Sequence, residues 1–254
     1  MPGTGRGNLP EMPLEGQTAL VTGAARRIGR AVALALADRR VNVVIHYRRS
    51  VGPAQALRQE LVARGVQAFC VKADFDDAED TAALLDRARA AAGPIQILVN
   101  SAAEFQPVAL DAMTLESLTR DITVNAWTPF ALTRAFARQV TQGKVINFID
   151  ADIAGYNLSR ASYILSKQLL ATLTTMTALQ FAPGITVNAV APGPILPPEG
   201  KDDSYLDRLT QSLPLRRHGG LADITRAVLF LLESDFTTGQ IIYVDGGRHL
   251  QESR

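Results

Sequence analysis

The sequence predicts an α/β fold with one doubly wound parallel sheet of about seven strands and helices on both faces. Three observations lead to this prediction. Short apolar runs alternate along the chain with longer amphipathic runs, as successive βαβ units require. The short runs are rich in Val and Ile with little polar alternation, which is typical of strands covered on both faces. No internal repeat or change of composition interrupts the alternation after residue 15.

The predicted elements run in regular order along the chain. The strands cover residues 18–21, 41–47, 67–71, 95–100, 144–149, 186–190 and 240–244, and the helices cover 28–38, 54–64, 81–91, 115–139, 159–181 and 221–232. One domain is expected over 16–250, between a mobile Gly- and Pro-rich tail at 1–15 and a short tail at 251–254. The long, Pro-rich and charged segment 192–213 is predicted to be irregular and to act as a substrate lid.

The composition excludes several classes of protein. Of the 254 residues, 47% are hydrophobic and 20% are charged, which rules out a collagen or a disordered chain. Lys and Arg number 26 against 25 Asp and Glu, so the basic excess of a nucleic-acid-binding domain is missing. A single cysteine, Cys70, permits no internal disulfide, and three isolated histidines predict no metal site. Because no apolar run reaches the ~18 residues of a membrane span and no signal peptide is recognisable, a cytoplasmic protein is expected.

A glycine-bearing turn follows the first predicted strand, at residues 22–29. Gly23 and Gly29 let the backbone turn sharply and approach a pyrophosphate, while free N–H groups at the start of the next helix attract the anion. Directly after the first strand of a βαβ unit, this turn indicates a Rossmann-type dinucleotide site that includes Arg27 and Ile28. The alternative is a tight turn without a ligand.

The end of the second predicted strand indicates which dinucleotide is bound. The sequence there is His46-Tyr47-Arg48-Arg49-Ser50, where sites specific for NAD carry an acidic side chain that binds the ribose 2′-hydroxyl. Two guanidinium groups and a hydroxyl are instead suited to hold a 2′-phosphate through charge-assisted hydrogen bonds. The pattern therefore favours NADPH over NADH, the alternative being two solvated arginines after a strand.

A tyrosine and a lysine follow the fifth predicted strand. Tyr163 and Lys167 are four residues apart, so they share one face of the predicted helix. A neighbouring ammonium stabilises a phenolate and lowers the phenol pKa from its unperturbed value of about 10 toward a range useful for acid–base catalysis. Such a pair alone is more often a packed ring beside a solvated lysine. After the fifth strand of a nucleotide-binding sheet, it indicates a catalytic pair.

Together these residues resemble the short-chain dehydrogenase/reductase family over about residues 16–250. The matching motifs are Thr22-Gly23 with Gly29, Asp74, Asn100-Ser101-Ala102, Asn125, Tyr163 with Lys167, Pro192-Gly193 and Asp245-Gly246-Gly247. The resemblance implies that Tyr163 donates or accepts the proton, that Lys167 binds the nicotinamide ribose and lowers the tyrosine pKa, and that Asn125 supports a proton relay. It also implies cofactor contacts from Asp74, Phe75, Asn100, Ser101, Ala102, Pro192, Gly193 and Ile195.

Three departures from the family pattern are similar to its pteridine reductase branch. Arg27 replaces the usual middle glycine of the first turn, Ser101-Ala102-Ala103 replaces the usual Asn-Ala-Gly, and Asp150 replaces the serine thirteen residues before the tyrosine. The ending 245–250 and the segment 194–196 resemble bacterial dihydromonapterin and dihydrofolate reductases of that branch. The likeness implies that Arg27 reaches the substrate and the pyrophosphate, and that Phe105 stacks against the pterin ring.

Asp150 carries the most specific inference about the reaction. A ketone reductase develops negative charge on oxygen, which a serine hydroxyl stabilises and an ionised carboxylate repels. Reduction of a C=N bond needs a proton at nitrogen, which a carboxylic acid of raised pKa can relay alongside Tyr163. A carboxylate can also accept hydrogen bonds from the aminopyrimidine edge of a pterin. The alternative is that Asp150 caps the following loop, the role assigned to nearby Asp152.

These inferences predict an NADPH-dependent reductase of a small-molecule dihydropterin, with dihydromonapterin, dihydrobiopterin and dihydrofolate as candidates. The predicted substrate contacts are Arg27, Phe105, Asp150 and Tyr163. Two alternatives stay open: a carbonyl or 3-oxoacyl thioester reductase in which Asp150 is incidental, and a non-catalytic NADP-binding regulator. The resemblance further implies a homotetramer in which the helix 159–181 pairs with its mate, and a carboxy-terminal tail whose Arg248 can reach a neighbouring active site.

Overall fold

The computed structural model describes residues 12–198 and 200–251, and its strands form one sheet. The strands are β1 (Thr18–Val21), β2 (Asn42–Tyr47), β3 (Ala68–Lys72), β4 (Ile97–Asn100), β5 (Gly143–Phe148), β6 (Ile185–Pro192) and β7 (Ile241–Val244). All neighbours pair in parallel, in the order β3-β2-β1-β4-β5-β6-β7. The predicted doubly wound parallel sheet is therefore confirmed, and no strand end departs from its predicted position by more than two residues.

Helices cover both faces of this sheet. They are α1 (Arg27–Asp38), α2 (Val51–Ala63), α3 (Ala78–Ala92), α4 (Leu115–Ile122), α5 (Thr128–Ala137), α6 (Ala161–Phe181), α7 (Asp203–Thr210) and α8 (Leu221–Glu233). Apolar residues of α1, α2 and α8 pack on one face, and those of α3, α5 and α6 pack on the other. In β4, Ile97 and Val99 face the first layer while Leu98 faces the second. Most strand residues are apolar because helices cover both faces of the sheet.

The long helix predicted over 115–139 is helical from 115 to 137, but its middle is not a regular α-helix. A π-helical turn at Thr123–Trp127 separates α4 from α5, and Pro129 lies in the first turn of α5. Proline has no backbone N–H, so it cannot continue a regular helix through this point. The turn contains Asn125, which is fully buried. Such π-turns are frequent at functional sites.

The segment 192–213 is not wholly irregular as predicted, because it contains α7. Leu206 and Leu209 are three residues apart and share a helix face, and Leu206 is buried. Because charged residues lie between these two leucines, the apolar periodicity of the sequence did not predict a helix here. Leu14, which the prediction placed in the mobile tail, is buried in the core. Of the two predicted tails, residues 1–11 and 252–254 lie outside the described residues.

None of the helices described is long and apolar enough to cross a bilayer. Within the residues that the structure describes, His, Cys, Asp and Glu side chains form no group of three or more that could hold a metal ion.

Candidate active site

A cleft of about 470 Å³ opens beside the turn that follows β1. The crevice at the carboxyl ends of β1 and β4 is the place where doubly wound sheets bind dinucleotides, since the strand order reverses there. Ten of the predicted cofactor residues line this cleft: Gly23, Arg27, Ile28, Gly29, His46, Arg48, Phe75, Ser101, Ala102 and Tyr163.

The turn between β1 and α1 requires glycine at two positions. Gly23 has a φ of +64°, and a Cβ there would lie 2.9 Å from the Cα of Ala102. A Cβ on Gly29 would lie 2.4 Å from the carbonyl oxygen of Gly23. The backbone therefore forms an open cradle at the start of α1, which is the arrangement that receives a pyrophosphate.

Arg27 occupies a backbone conformation that favours glycine. Its φ is +53°, a left-handed value that costs an ordinary residue about 1–2 kcal/mol. The guanidinium donates to the carbonyl oxygen of Pro197 at 2.9 Å, so it connects the turn to the segment 192–213. Arg27 therefore keeps the conformation of the family's glycine while it adds a cation at the mouth of the cleft.

His46 supports the glycine turn from below. Its Nδ1 accepts the N–H of Gly23 at 3.1 Å, and its Nε2 lies 3.2 Å from the carbonyl oxygen of Ala73. The ring stacks on Phe75, with centroids 4.5 Å apart. Burial lowers the pKa of His46 to about 4, so the ring is neutral and Nε2 carries the proton that it donates to Ala73.

The predicted 2′-phosphate site lies at the rim of the same cleft. Arg48 contacts the carboxylates of Glu104 at 2.9 Å, Asp76 at 3.1 Å and Asp74 at 3.5 Å. Arg49 is exposed, and Ser50 directly precedes α2. Two cations and a helix N-terminus therefore lie together, although Arg48 already has acidic partners. Sequence reasoning missed Glu104, which lies 56 residues from Arg48 in the chain.

Some predicted cofactor residues support the cleft from behind. The amide of Asn100 donates to the Oδ1 of Asn147 at 2.8 Å inside the sheet, and Ile195 is buried in the core. Tyr47 also packs against that core. Contacts of these three residues with the cofactor stay predictions. Pro192 and Gly193 line a second, neighbouring cleft.

The predicted catalytic residues meet at the carboxyl ends of β4 and β5. The hydroxyl of Tyr163 donates to the Oδ2 of Asp150 at 3.1 Å. The ammonium of Lys167 donates to the carbonyl oxygen of Phe148 at 2.9 Å. The amide of Asn125 donates to the carbonyl oxygen of Glu104 at 3.0 Å and to the hydroxyl of Ser166 at 3.2 Å.

Burial shifts the ionisation of this group toward neutral forms. It raises the pKa of Asp150 and lowers the pKa of Lys167 to about 8. Burial, followed by the Asp150 carboxylate, holds the pKa of Tyr163 well above 10. In this arrangement the Lys167 ammonium donates to Phe148 and lies 5.8 Å from the centroid of the Tyr163 ring, while Asp150 lies against the phenol. That Lys167 lowers the tyrosine pKa stays a prediction. A neutral Tyr163 is a proton donor, as reduction requires.

Asp150 and Asp152 divide their roles differently from the prediction. The Oδ1 of Asp150 accepts the N–H of Asp152 at 2.8 Å, so Asp150 both caps the loop and contacts Tyr163. Asp152 has a different role from the predicted cap, because its carboxylate binds Arg248 at 2.5 Å and Arg160 at 2.9 Å. Arg248 is 96 residues away in sequence, so no local signal could have found this pair.

A second cleft of about 480 Å³ adjoins the first and suits a substrate. Its lining includes Phe105, Asp150, Arg160, Pro192, Gly193, Leu196, Tyr205 and Arg248. Phe105 meets Tyr163 edge to face, with ring centroids 5.0 Å apart, and the guanidinium of Arg160 lies 5.4 Å from its centroid. Two predicted substrate residues, Phe105 and Asp150, thus line this cleft. The other two, Arg27 and Tyr163, line the cofactor cleft.

Known proteins resemble this chain over nearly its whole length. The family model described as enoyl-(acyl carrier protein) reductase matches residues 23–249. A 3-oxoacyl-[acyl-carrier-protein] reductase of Staphylococcus aureus, FabG, is 34% identical, covering 92% of this chain and 98% of that protein. Among solved structures, FolM alternative dihydrofolate reductase 1 from Brucella canis complexed with NADP superposes with a TM-score of 0.90. Its identity is 35%, and the match covers 95% of this chain and 97% of that one.

The chain belongs to the short-chain dehydrogenase/reductase family. It is accordingly an NADP-dependent oxidoreductase, which leaves the non-catalytic alternative without support. A blue fluorescent protein from a metagenomic library in complex with NADPH is also similar, with a TM-score of 0.85 and 33% identity over 93% of this chain. The FolM likeness agrees with the branch that Arg27, Asp150 and Phe105 indicated, whereas the FabG likeness carries a different substrate name.

Proposed function

We propose that this protein reduces the C=N bond of a dihydropterin with NADPH. The observation that carries the proposal is the contact between Tyr163 and a buried Asp150, 3.1 Å apart, in a cleft next to the dinucleotide cradle. The FolM structures, which share 35% identity with this chain, support the same substrate class.

The residues fit NADPH on their own geometry. Gly23 and Gly29 leave the space that a pyrophosphate needs, and Arg48 with Arg49 offers cations where the 2′-phosphate would lie. Lys167 would hold the nicotinamide ribose. When bound, the cofactor supplies the hydride that adds to the carbon of the C=N bond.

The chain's own residues would then supply the proton to nitrogen. Tyr163 is neutral, and burial raises the pKa of Asp150, which favours the protonated form of that carboxyl. Their hydrogen bond lets Asp150 replace the proton that Tyr163 gives up. Asn125 is held on both sides of its amide by Glu104 and Ser166, which orients it behind the reacting groups.

A 3-oxoacyl thioester reductase is the second candidate, because FabG of Staphylococcus aureus is 34% identical over almost the same length. The two candidates differ at Asp150. In a ketone reduction, an ionised carboxylate against Tyr163 would oppose the negative charge that develops on the substrate oxygen.

An assay of NADPH oxidation separates these candidates. We expect turnover of dihydromonapterin, dihydrobiopterin or dihydrofolate, and little turnover of an acetoacetyl thioester. Turnover of the thioester without any pterin would reject the proposal.

Substitution of Asp150 tests the residue that carries the proposal. Asp150→Ser should lower pterin reduction about 100-fold, within the range for loss of a general acid, while NADPH affinity changes little. The exposed Asp111→Ser is the matched control and should keep full activity. Equal losses of activity and of cofactor affinity would show that Asp150 is structural.

A further inference from the structure

Asp152 lies two residues after Asp150, and its carboxylate is nearly buried. Its side chain is 10% exposed. Arg248 donates to it through Nε at 2.5 Å and Nη2 at 3.3 Å, Arg160 donates at 2.9 Å, and Asn157 donates at 3.1 Å. One carboxylate thus receives four donors, which is the kind of arrangement that fixes a side chain in place.

Arg248 reaches Asp152 from the far end of the chain, just after β7. The carboxylate of Asp245 accepts the N–H of Gly247 at 3.0 Å and the N–H of His249 at 2.7 Å. Gly246 and Gly247 both have positive φ, so the chain turns sharply between these two contacts. This turn holds the backbone of Arg248, whose side chain crosses to the loop after β5.

Asp152 is also connected to Asp150 through its main chain. The N–H of Asp152 donates to the Oδ1 of Asp150 at 2.8 Å, which leaves the Oδ2 for the hydroxyl of Tyr163. A shift of Asp152 would therefore rotate the Asp150 carboxyl or remove one of its donors. Arg248 and Asp152 both line the substrate cleft, so the pair also forms part of its wall.

We propose that the ion pair between Asp152 and Arg248 is a positioning device that directs the Asp150 carboxyl at Tyr163 and sets its protonation state. This inference rests on the proposed function for its kinetic test. Arg248 acts in it as a residue of the same chain, and neither member of the pair is assigned a contact with reacting atoms.

The charges around Asp150 determine whether a substitution of Asp152 or Arg248 raises or lowers the pKa of Asp150. The groups around it are Tyr163 and Lys167 on α6, Arg160 before α6 and Asp152 on its own loop, and Tyr205 and Arg248 line the same cleft. The Asp152 charge raises the pKa of Asp150, while Arg160 lowers it. Arg248 in turn holds the pKa of Asp152 below its usual range, which keeps that carboxylate ionised.

Two substitutions should therefore shift the activity profile in opposite directions. Asp152→Asn removes the negative charge that repels the Asp150 carboxylate, and it leaves the positive charges of Arg160 and Arg248 uncompensated. Asp150 should therefore lose its proton at lower pH. Arg248→Gln leaves the Asp152 charge less compensated, so Asp150 should keep its proton to higher pH. The alkaline limb of the kcat profile should move down in the first variant and up in the second, by about one pH unit each, a tenfold change in protonated fraction.

The matched control is Arg226→Gln, which removes an exposed arginine that pairs with Asp223 on α8 and should not move the profile. Opposite shifts support the proposal. Shifts in the same direction, or a fall in kcat with an unchanged alkaline limb, would overturn it.

An infrared titration separates this proposal from the proposed function. The carboxyl stretch of protonated Asp150, assigned by subtraction of an Asp150→Asn spectrum, can be followed in the enzyme loaded with NADP without any substrate. The same opposite shifts are expected there. If wild type reduces no pterin but the Asp150 titration still shifts in opposite directions in the two variants, the proposed function fails and the positioning role stands. If the Asp150 titration does not shift in the variants, the positioning role fails.

Discussion

His46 and Asp150 are both buried ionisable side chains at the carboxyl ends of strands, yet their contacts give them different roles. His46 is the second-last residue of β2, and Asp150 follows β5. Burial shifts the pKa of each toward its neutral form, lowering it for the imidazole and raising it for the carboxyl. A perturbed pKa alone therefore does not identify the catalytic residue.

The difference lies in what each side chain contacts. Both ring nitrogens of His46 are engaged by backbone groups, at Gly23 and Ala73, so the ring has no capacity left for a ligand. Asp150 uses only one oxygen for the backbone, and its other oxygen meets Tyr163 at the junction of the two clefts. A buried titratable group can act on a substrate when one of its polar atoms is directed at a pocket.

The largest effect that follows from this comparison is at Tyr163. Tyr163→Phe removes the hydroxyl that donates to the Oδ2 of Asp150, and kcat for pterin reduction should fall about 10²- to 10⁴-fold. The affinity for NADPH, measured by fluorescence titration, should change by less than about threefold. Phe230→Leu, at an exposed side chain on α8, is the control. A fall in kcat below about tenfold would show that another group delivers the proton.

His46 should instead affect stability, and with a defined pH dependence. Its folded pKa of about 4 lies below the unfolded value of about 6.5, so the unfolded chain takes up the proton first as pH falls. The stabilisation is complete above pH 6.5 and is lost between 6.5 and 4, by about 3 kcal/mol.

Urea unfolding measures this loss against a variant. His46→Gln lacks the titration, so the difference in unfolding free energy between wild type and variant should shrink by about 3 kcal/mol from pH 7 to pH 4. A constant difference across this range would mean that His46 is not held neutral in the folded protein.

The sequence could predict the sheet and the catalytic pair because both leave local patterns. Strands buried on both faces are continuous apolar runs, and Tyr163 and Lys167 lie one helical turn apart. The pairs Asp152 with Arg248 and Arg48 with Glu104 leave no such pattern, since the topology alone brings them together. Pro129 is a local signal for the π-turn between α4 and α5.

The smallest of the three expected effects is at the cofactor end of the site. It tests whether the arginines there contribute to NADPH binding alone, whereas Asp150 contributes to the reaction. Arg48→Ala with Arg49→Ala should weaken NADPH binding about 10- to 100-fold, because each lost charged hydrogen bond costs about 1.5–3 kcal/mol and Arg48 has compensating acidic partners. NADH binding should change by less than about threefold, and kcat at saturating NADPH should stay near that of wild type. Arg89→Ala, at an exposed position on α3, is the control. An unchanged ratio of NADPH to NADH affinity would mean that the two arginines are merely solvated, and that the cofactor preference arises elsewhere in the cleft.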